Sequence, residues 1–152
     1  MLMNLLLGLP TMVLCLCLQS LLFAVAIHYY ARRESDVANA SFLSTIAVIT
    51  GVMIILVVGN VAQVTIWALL FMLLDEFDSL AIAVYHSAVN FSTLGYGDIV
   101  MSEKHRLLGP LEAINGVLMI GASTAALTAA FHDAARKTAR TRKHRRADAV
   151  EP

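Results

Sequence analysis

No charged residue occurs between Phe42 and Leu74. A run that long and that apolar has few outcomes. Lipid offers a backbone no hydrogen-bond partners, so inside a bilayer the segment must pair every N–H and C=O within itself, as a helix does. As a single helix it would measure roughly 50 Å, against a hydrocarbon layer of about 30 Å, so it must tilt, project from the membrane or begin as an interfacial segment. Two other runs are long enough to span: Leu5–Ile27, and Leu107–Phe131 with one interior acid, Glu112. Only 14% of the 152 residues are charged and 59% are hydrophobic, whereas about a quarter are charged in a soluble domain. The chain therefore reads as an integral membrane protein. A further apolar piece, Leu80–Phe91, is too short to cross and fits a re-entrant helix, with Asp78 and Ser79 as N-cap candidates.

Formal net charge is zero, but seven of the eleven Lys and Arg lie between Arg136 and Arg146. Arg32 and Arg33 follow the first run, while the stretch 75–106 carries Asp75, Glu76, Asp78, Asp98 and Glu103 against Lys104 and Arg106. By the excess of basic residues on the cytoplasmic side, the N-terminus is expected outside, the 31–40 loop inside, the acidic stretch outside and the tail in the cytoplasm of a multi-pass cell-membrane protein. The triplet Ala24–Ala26 looks like a signal-peptidase site, but no basic residue precedes the run and its apolar core is long, so the first helix is expected to be retained. The tail is expected to anchor topology, to attract anionic lipid through Arg136–Arg146 and to be disordered at its end; no nucleic-acid partner is expected. Cys15 and Cys17 point to different helix faces, which suits packing rather than a disulfide or a metal site. The sequons at Asn39 and Asn90 fall on the inner side and in the re-entrant piece, and are discounted.

Between the re-entrant piece and the last run stands "NFSTLGYGD", residues 90–98. Non-helical backbone at membrane depth is tolerated only where it is buried in protein or lines a wet cavity. Glycine admits positive φ without steric cost, and alternating glycines let successive carbonyls turn to one side. Several copies of such a strand around an axis would stack rings of carbonyl oxygen able to replace the water shell of a cation.

Thr93-Leu94-Gly95-Tyr96-Gly97-Asp98 resembles the filter signature of potassium channels, T-V-G-Y-G-D, with Leu for Val. The resemblance extends over about Phe42–Phe131, since outer helix, pore helix, filter and inner helix follow in the order of that family. It implies a homotetramer with K⁺ held by the carbonyls of Thr93, Leu94, Gly95 and Tyr96 and by the Thr93 hydroxyl, Gly97 freeing the strand at its exit and Asp98 at the outer mouth. Non-selective relatives tend to lose the aromatic at Tyr96, so its presence implies potassium selectivity. The sequence departs from the family where a Trp-Trp pair often precedes the filter: Tyr85 and His86 stand there, and one of them is expected to bond to Asp98 or Tyr96. Val89 replaces a buried Glu found in some members.

Other residues have competing readings. His86 is either a proton sensor or a neutral brace; His105 is a weaker sensor candidate, and His28 and His132 read as interfacial. Glu112 is an intramembrane acid and so a functional candidate, expected to brace the filter or the pore helix from behind. Gly116 and Gly121 are either hinges or sites of close helix packing, and Ser123 and Thr124 are candidates to line a cavity. Asn60 and Gln63 are expected to bond between helices. The outer acids Asp75, Glu76 and Asp78 either concentrate cations or are simply solvated.

The expected fold is an all-α membrane protein with three transmembrane helices, a re-entrant pore helix and a filter loop, closing as a homotetrameric pore. Its parts are an N-terminal helix over 1–30, a cytoplasmic loop over 31–41, a pore domain over 42–132 and a basic tail over 133–152. The pore domain divides into an outer helix (42–75), pore helix (79–91), filter (92–98) and inner helix (106–132). The expected function is passive, selective potassium conduction without a cofactor. A non-selective cation channel and a non-conducting scaffold or regulatory subunit are the alternatives. No nucleophile–base pair or paired intramembrane acids point to an enzyme. The first helix lacks the repeated arginines of a voltage sensor and is expected to pack outside the second.

Overall fold

The computed structural model describes residues 1–33 and 42–148. It consists of four helices: α1 (Leu2–Arg32), α2 (Phe42–Leu73), α3 (Leu80–Phe91) and α4 (Leu108–Asp148). Among the described residues there is no strand. Three of the helices are long and apolar enough to cross a membrane, over Leu2–Arg32, Leu43–Leu73 and Leu108–Thr141. The expectation of an all-α membrane protein is borne out. Most of the expected 31–41 loop lies outside the described residues.

Two helix ends share one device. At the end of α2, Glu76 N–H donates to Phe71 C=O and Asp75 N–H to Met72 C=O, both at 3.1 Å, and Asp75 takes φ 54°. At the end of α3, Leu94 N–H donates to Val89 C=O and Thr93 N–H to Asn90 C=O, both at 2.9 Å, and Thr93 takes φ 61°. This six-to-one plus five-to-two pairing satisfies the last carbonyls of a helix and requires a left-handed residue, ordinarily glycine. Asp tolerates that region; a β-branched Thr there is an outlier. The start of α3 is capped by Ser79, whose side chain accepts from Ile82 N–H.

The last helix runs past 132, where the inner helix was expected to stop, to Asp148. Alanine, arginine and lysine are strong helix formers, and Lys137 Nζ pairs with Asp133 Oδ2 at 2.6 Å one turn away, which supports the extension.

The chain forms two compact units, Met1–Leu21 with Val58–Ala122, and Leu22–Val57 with Ser123–Pro152. In the first, Cys15, Trp67, Phe71 and Leu108 are fully buried together. α1 is joined there to both α2 and α4. Gln63 Nε2 donates to Gln19 Oε1 at 2.7 Å, and a Cβ on Gly8 would stand 2.6 Å from a Leu111 methyl. Asn4 also donates to Lys104 C=O at 3.0 Å. The first helix therefore packs on the second and reaches the last helix as well. Cys17 is exposed and both cysteines are free.

In the second unit, Val48, Ile49 and Ala134 form one buried cluster and Ala26, Val52 and Leu56 another. Tyr30 donates to Asp133 at 3.0 Å, and Lys137 lies 5.3 Å from the Tyr30 ring centre. Large apolar side chains such as Leu6, Leu14, Leu21, Val57, Val58 and Val61 remain exposed on the chain, as lipid-facing residues do.

Candidate functional site

The capped turn that ends α3 launches the segment 93–98. Along it φ is positive at alternate residues: 61° at Thr93, 61° at Gly95 and 71° at Gly97. Alternating handedness turns successive peptide planes so that like groups project to one side. A Cβ added at Gly95 or Gly97 would meet nothing within 4 Å, so within one chain glycine is required by φ alone. The whole stretch from Ser92 to Asp98 is exposed, with Leu94 at 57% and Tyr96 at 66%.

α3 supports this segment through two adjacent side chains. Tyr85 Oη donates to Asp98 Oδ2 at 2.7 Å; of the bonds expected of the 85–86 pair, this is the one to Asp98. The Tyr85 hydroxyl is the first cause holding the Asp98 carboxyl below its ordinary value. We predict that Tyr85→Phe lets the Asp98 titration, followed by carboxyl NMR, return toward that ordinary value.

His86 is buried, 6% exposed, between Phe71 and Phe77, whose ring centres lie 5.6 and 4.9 Å away. Its Nδ1 lies 2.9 Å from Ile99 C=O and its Nε2 lies 2.9 Å from Asn90 Nδ2. A carbonyl only accepts and an amide NH₂ only donates, so this network assigns one neutral tautomer, with hydrogen on Nδ1. A proton on Nε2 would face the Asn90 NH₂, so the geometry suits a brace better than a sensor. His28 and His132 are exposed.

Behind α3 stands one face of α4. Glu112 is fully buried and in hydrogen-bond contact with the Ser87 hydroxyl, whose oxygen also lies 2.7 Å from Val64 C=O. Val89 is buried at 7% exposure. A Cβ on Gly109 would lie 3.3 Å from Asn90 Nδ2, and one on Gly116 only 1.9 Å from Phe91 C=O; nothing surrounds Gly121 within 4 Å. Gly116 is thus a place of close backbone approach, on the same face as Glu112 and Gly109. In the second unit Ser123 is buried, Thr124 is exposed, and Thr128 donates to Thr124 C=O at 2.9 Å.

Sequence reasoning missed the outer clamp. Glu76 accepts from Ser102 N–H at 2.7 Å and from Ser102 Oγ at 2.6 Å, and contacts His105 Nδ1 at 2.5 Å with both side chains nearly buried. It is committed to holding the 102–105 linker, whereas Asp75 and Asp78 are exposed. No local pattern could reveal a contact across 26 or 29 positions.

Burial pushes the Glu76 carboxyl up, but the bonds from Ser102 and His105 outweigh it and leave it below the ordinary 4.5. A carboxyl lowered on folding binds fewer protons folded than unfolded, so its stabilisation is present above the ordinary value and is lost as pH falls through the lowered one. Thermal midpoints measured from pH 6 downward should therefore show an acid-dependent fall below about pH 4.5 that Glu76→Gln reduces.

No curated protein and no solved structure matches. A family described as "Ion channel" matches residues 52–133, which include α3, the segment after it and the glycine-bearing face of α4. That match takes in more than half of the chain, and with three apolar helices long enough to cross a membrane the protein belongs to the ion channel family.

Proposed function

We propose that the protein is the subunit of a potassium-selective channel that conducts K⁺ passively through the segment Thr93–Tyr96. The observation that carries this reading is the alternation of positive φ at 93, 95 and 97 in an exposed strand fixed to the end of a short helix. Carbonyls of Thr93, Leu94, Gly95 and Tyr96, with the Thr93 hydroxyl, would form successive rings around K⁺, the transported ion. One chain supplies one such strand, so a ring needs further copies around an axis, and the resemblance to potassium channels makes the number four. The C-terminal end of α3 adds partial negative charge favourable to a cation. Gly97 releases the strand, and Asp98 is held at its end by Tyr85. Thr124 and the exposed face of α4 around Gly121 are available to line a cavity.

The family match supports a channel in preference to an enzyme. The N-terminus lies outside and the basic C-terminus in the cytoplasm, where Arg136, Lys137 and Arg140 would meet anionic headgroups. The test is flux into vesicles reconstituted with the purified protein. K⁺ is expected to cross and Na⁺ to be excluded; equal flux of the two would replace this reading with a non-selective cation channel, and absence of any flux with a non-conducting scaffold.

A further inference from the structure

The interior of the first unit contains a group of polar side chains that the conduction path does not use. Gln63, Trp67, Glu112 and Asn115 are each 0% exposed within one chain. No second copy and no lipid can reach them. Yet Gln63 Oε1, Trp67 Nε1, Glu112 Oε2 and both polar atoms of the Asn115 side chain lack a hydrogen bond of good geometry among the described residues.

These orphans are neighbours. Gln63 and Trp67 are one turn apart on α2, and Glu112 and Asn115 one turn apart on α4. Trp67 and Asn115 meet the Cys15 thiol of α1, which is only a weak hydrogen-bond partner, and Glu112 has Asn90 near it besides Ser87, so three helices converge on one spot. Each unpaired buried polar group costs about 1–3 kcal/mol, so polar atoms gathered at one place without good partners call for one. Donors and acceptors are both present: an indole N–H and an amide NH₂ against an amide oxygen and a carboxyl oxygen. That is the complement a bonded water needs, which takes two to four polar partners.

We infer that Cys15, Gln63, Trp67, Glu112 and Asn115 enclose a hydrated site at membrane depth, with water bridging the orphaned atoms. The water links α1 and α2 to the Glu112 carboxyl, which bonds Ser87 on α3. The N-terminal helix thereby closes the site through Cys15 and holds the back of the pore helix. The inference does not depend on which ion passes.

The chain has one tryptophan, so its indole N–H is a single resolved reporter. In the full-length protein in detergent or nanodiscs, water-selective NMR should show exchange between water and that proton. Loss of that cross-peak in an otherwise folded protein would overturn the site. The second arm is Asn115→Leu, similar in volume and without polar atoms. In a hydrated site it strips water from Glu112 and Trp67, and the thermal midpoint should fall by roughly 2–4 °C or more. In a dry site it removes unpaired groups and the midpoint should rise, which would also overturn the inference. If Asn115→Leu does not fold, the indole measurement on the unaltered protein decides. Vesicles that show no K⁺ selectivity while the indole still exchanges would defeat the potassium reading and leave this one standing.

Discussion

Gly116→Ala should cost the protein most of its conducting fold. A Cβ there would lie 1.9 Å from the Phe91 carbonyl oxygen and 2.7 Å from its carbonyl carbon. A side chain could swing aside; a backbone carbonyl cannot. Phe91 is moreover the last residue of α3, directly before the turn that aims the 93–98 segment. Admitting one methyl group means separating α4 from α3, and overpacking of this kind costs about 1–3 kcal/mol or more. The expected result is a thermal midpoint lowered by several degrees and ion flux reduced at least about tenfold, which corresponds to roughly 1.4 kcal/mol on the conducting state. Gly121→Ala is the matched control, since nothing lies within 4 Å of its added Cβ, and it should melt like the parent. A Gly116→Ala protein that melts and conducts normally would refute the close-packing role and return Gly116 to the hinge reading.

Gly95→Ala should show the opposite division: a folded, assembled protein without measurable K⁺ flux. Its Cβ meets no neighbour within 4 Å of the single chain, and the obstacle is φ 61°. Holding an L-residue in that region costs roughly 1–2 kcal/mol. An exposed strand can relieve the cost by rotating one peptide, which turns a carbonyl out of line with its neighbours. Stability would then change little while a ring of ligands is lost. Size-exclusion elution and the thermal midpoint should match the parent, and K⁺ uptake into vesicles should fall to background. Uptake at the parent rate would mean that ions do not pass along these carbonyls.

The three spans and the short fourth helix were legible because each is a hydropathy event, readable without knowing what packs where. The 93–98 motif was legible because its backbone demands are written as glycines. The handedness of Thr93 was not, since a β-branched residue carries no such signal and only the paired bonds to Asn90 and Val89 reveal it. Of the two cap candidates before α3, Ser79 rather than Asp78 accepts the bond from Ile82. The basic segment after 132 reads as a tail because it lacks apolar periodicity, yet its alanines and arginines favour helix and α4 continues through it. Gln19 and Asn4 went unnoticed as partners of Gln63 and Lys104, since a lone polar residue in an apolar run does not name its mate. Gly116 reads from sequence as a hinge or a site of close packing alike, and only the position of Phe91 shows what its missing side chain makes room for.

The left-handed Thr93 has a practical consequence for anyone engineering this protein to survive heat or detergent. Schemes that rank substitutions by local backbone fit would select glycine at this position, and the melting temperature should indeed rise, because the strain of a β-branched residue there, of order 1–3 kcal/mol, would be relieved. The improved molecule would have exchanged the one hydroxyl of the 93–95 stretch for robustness, a familiar conflict between durability and performance. Screening for hardier variants by melting alone would therefore enrich molecules that persist longer and lack this hydroxyl.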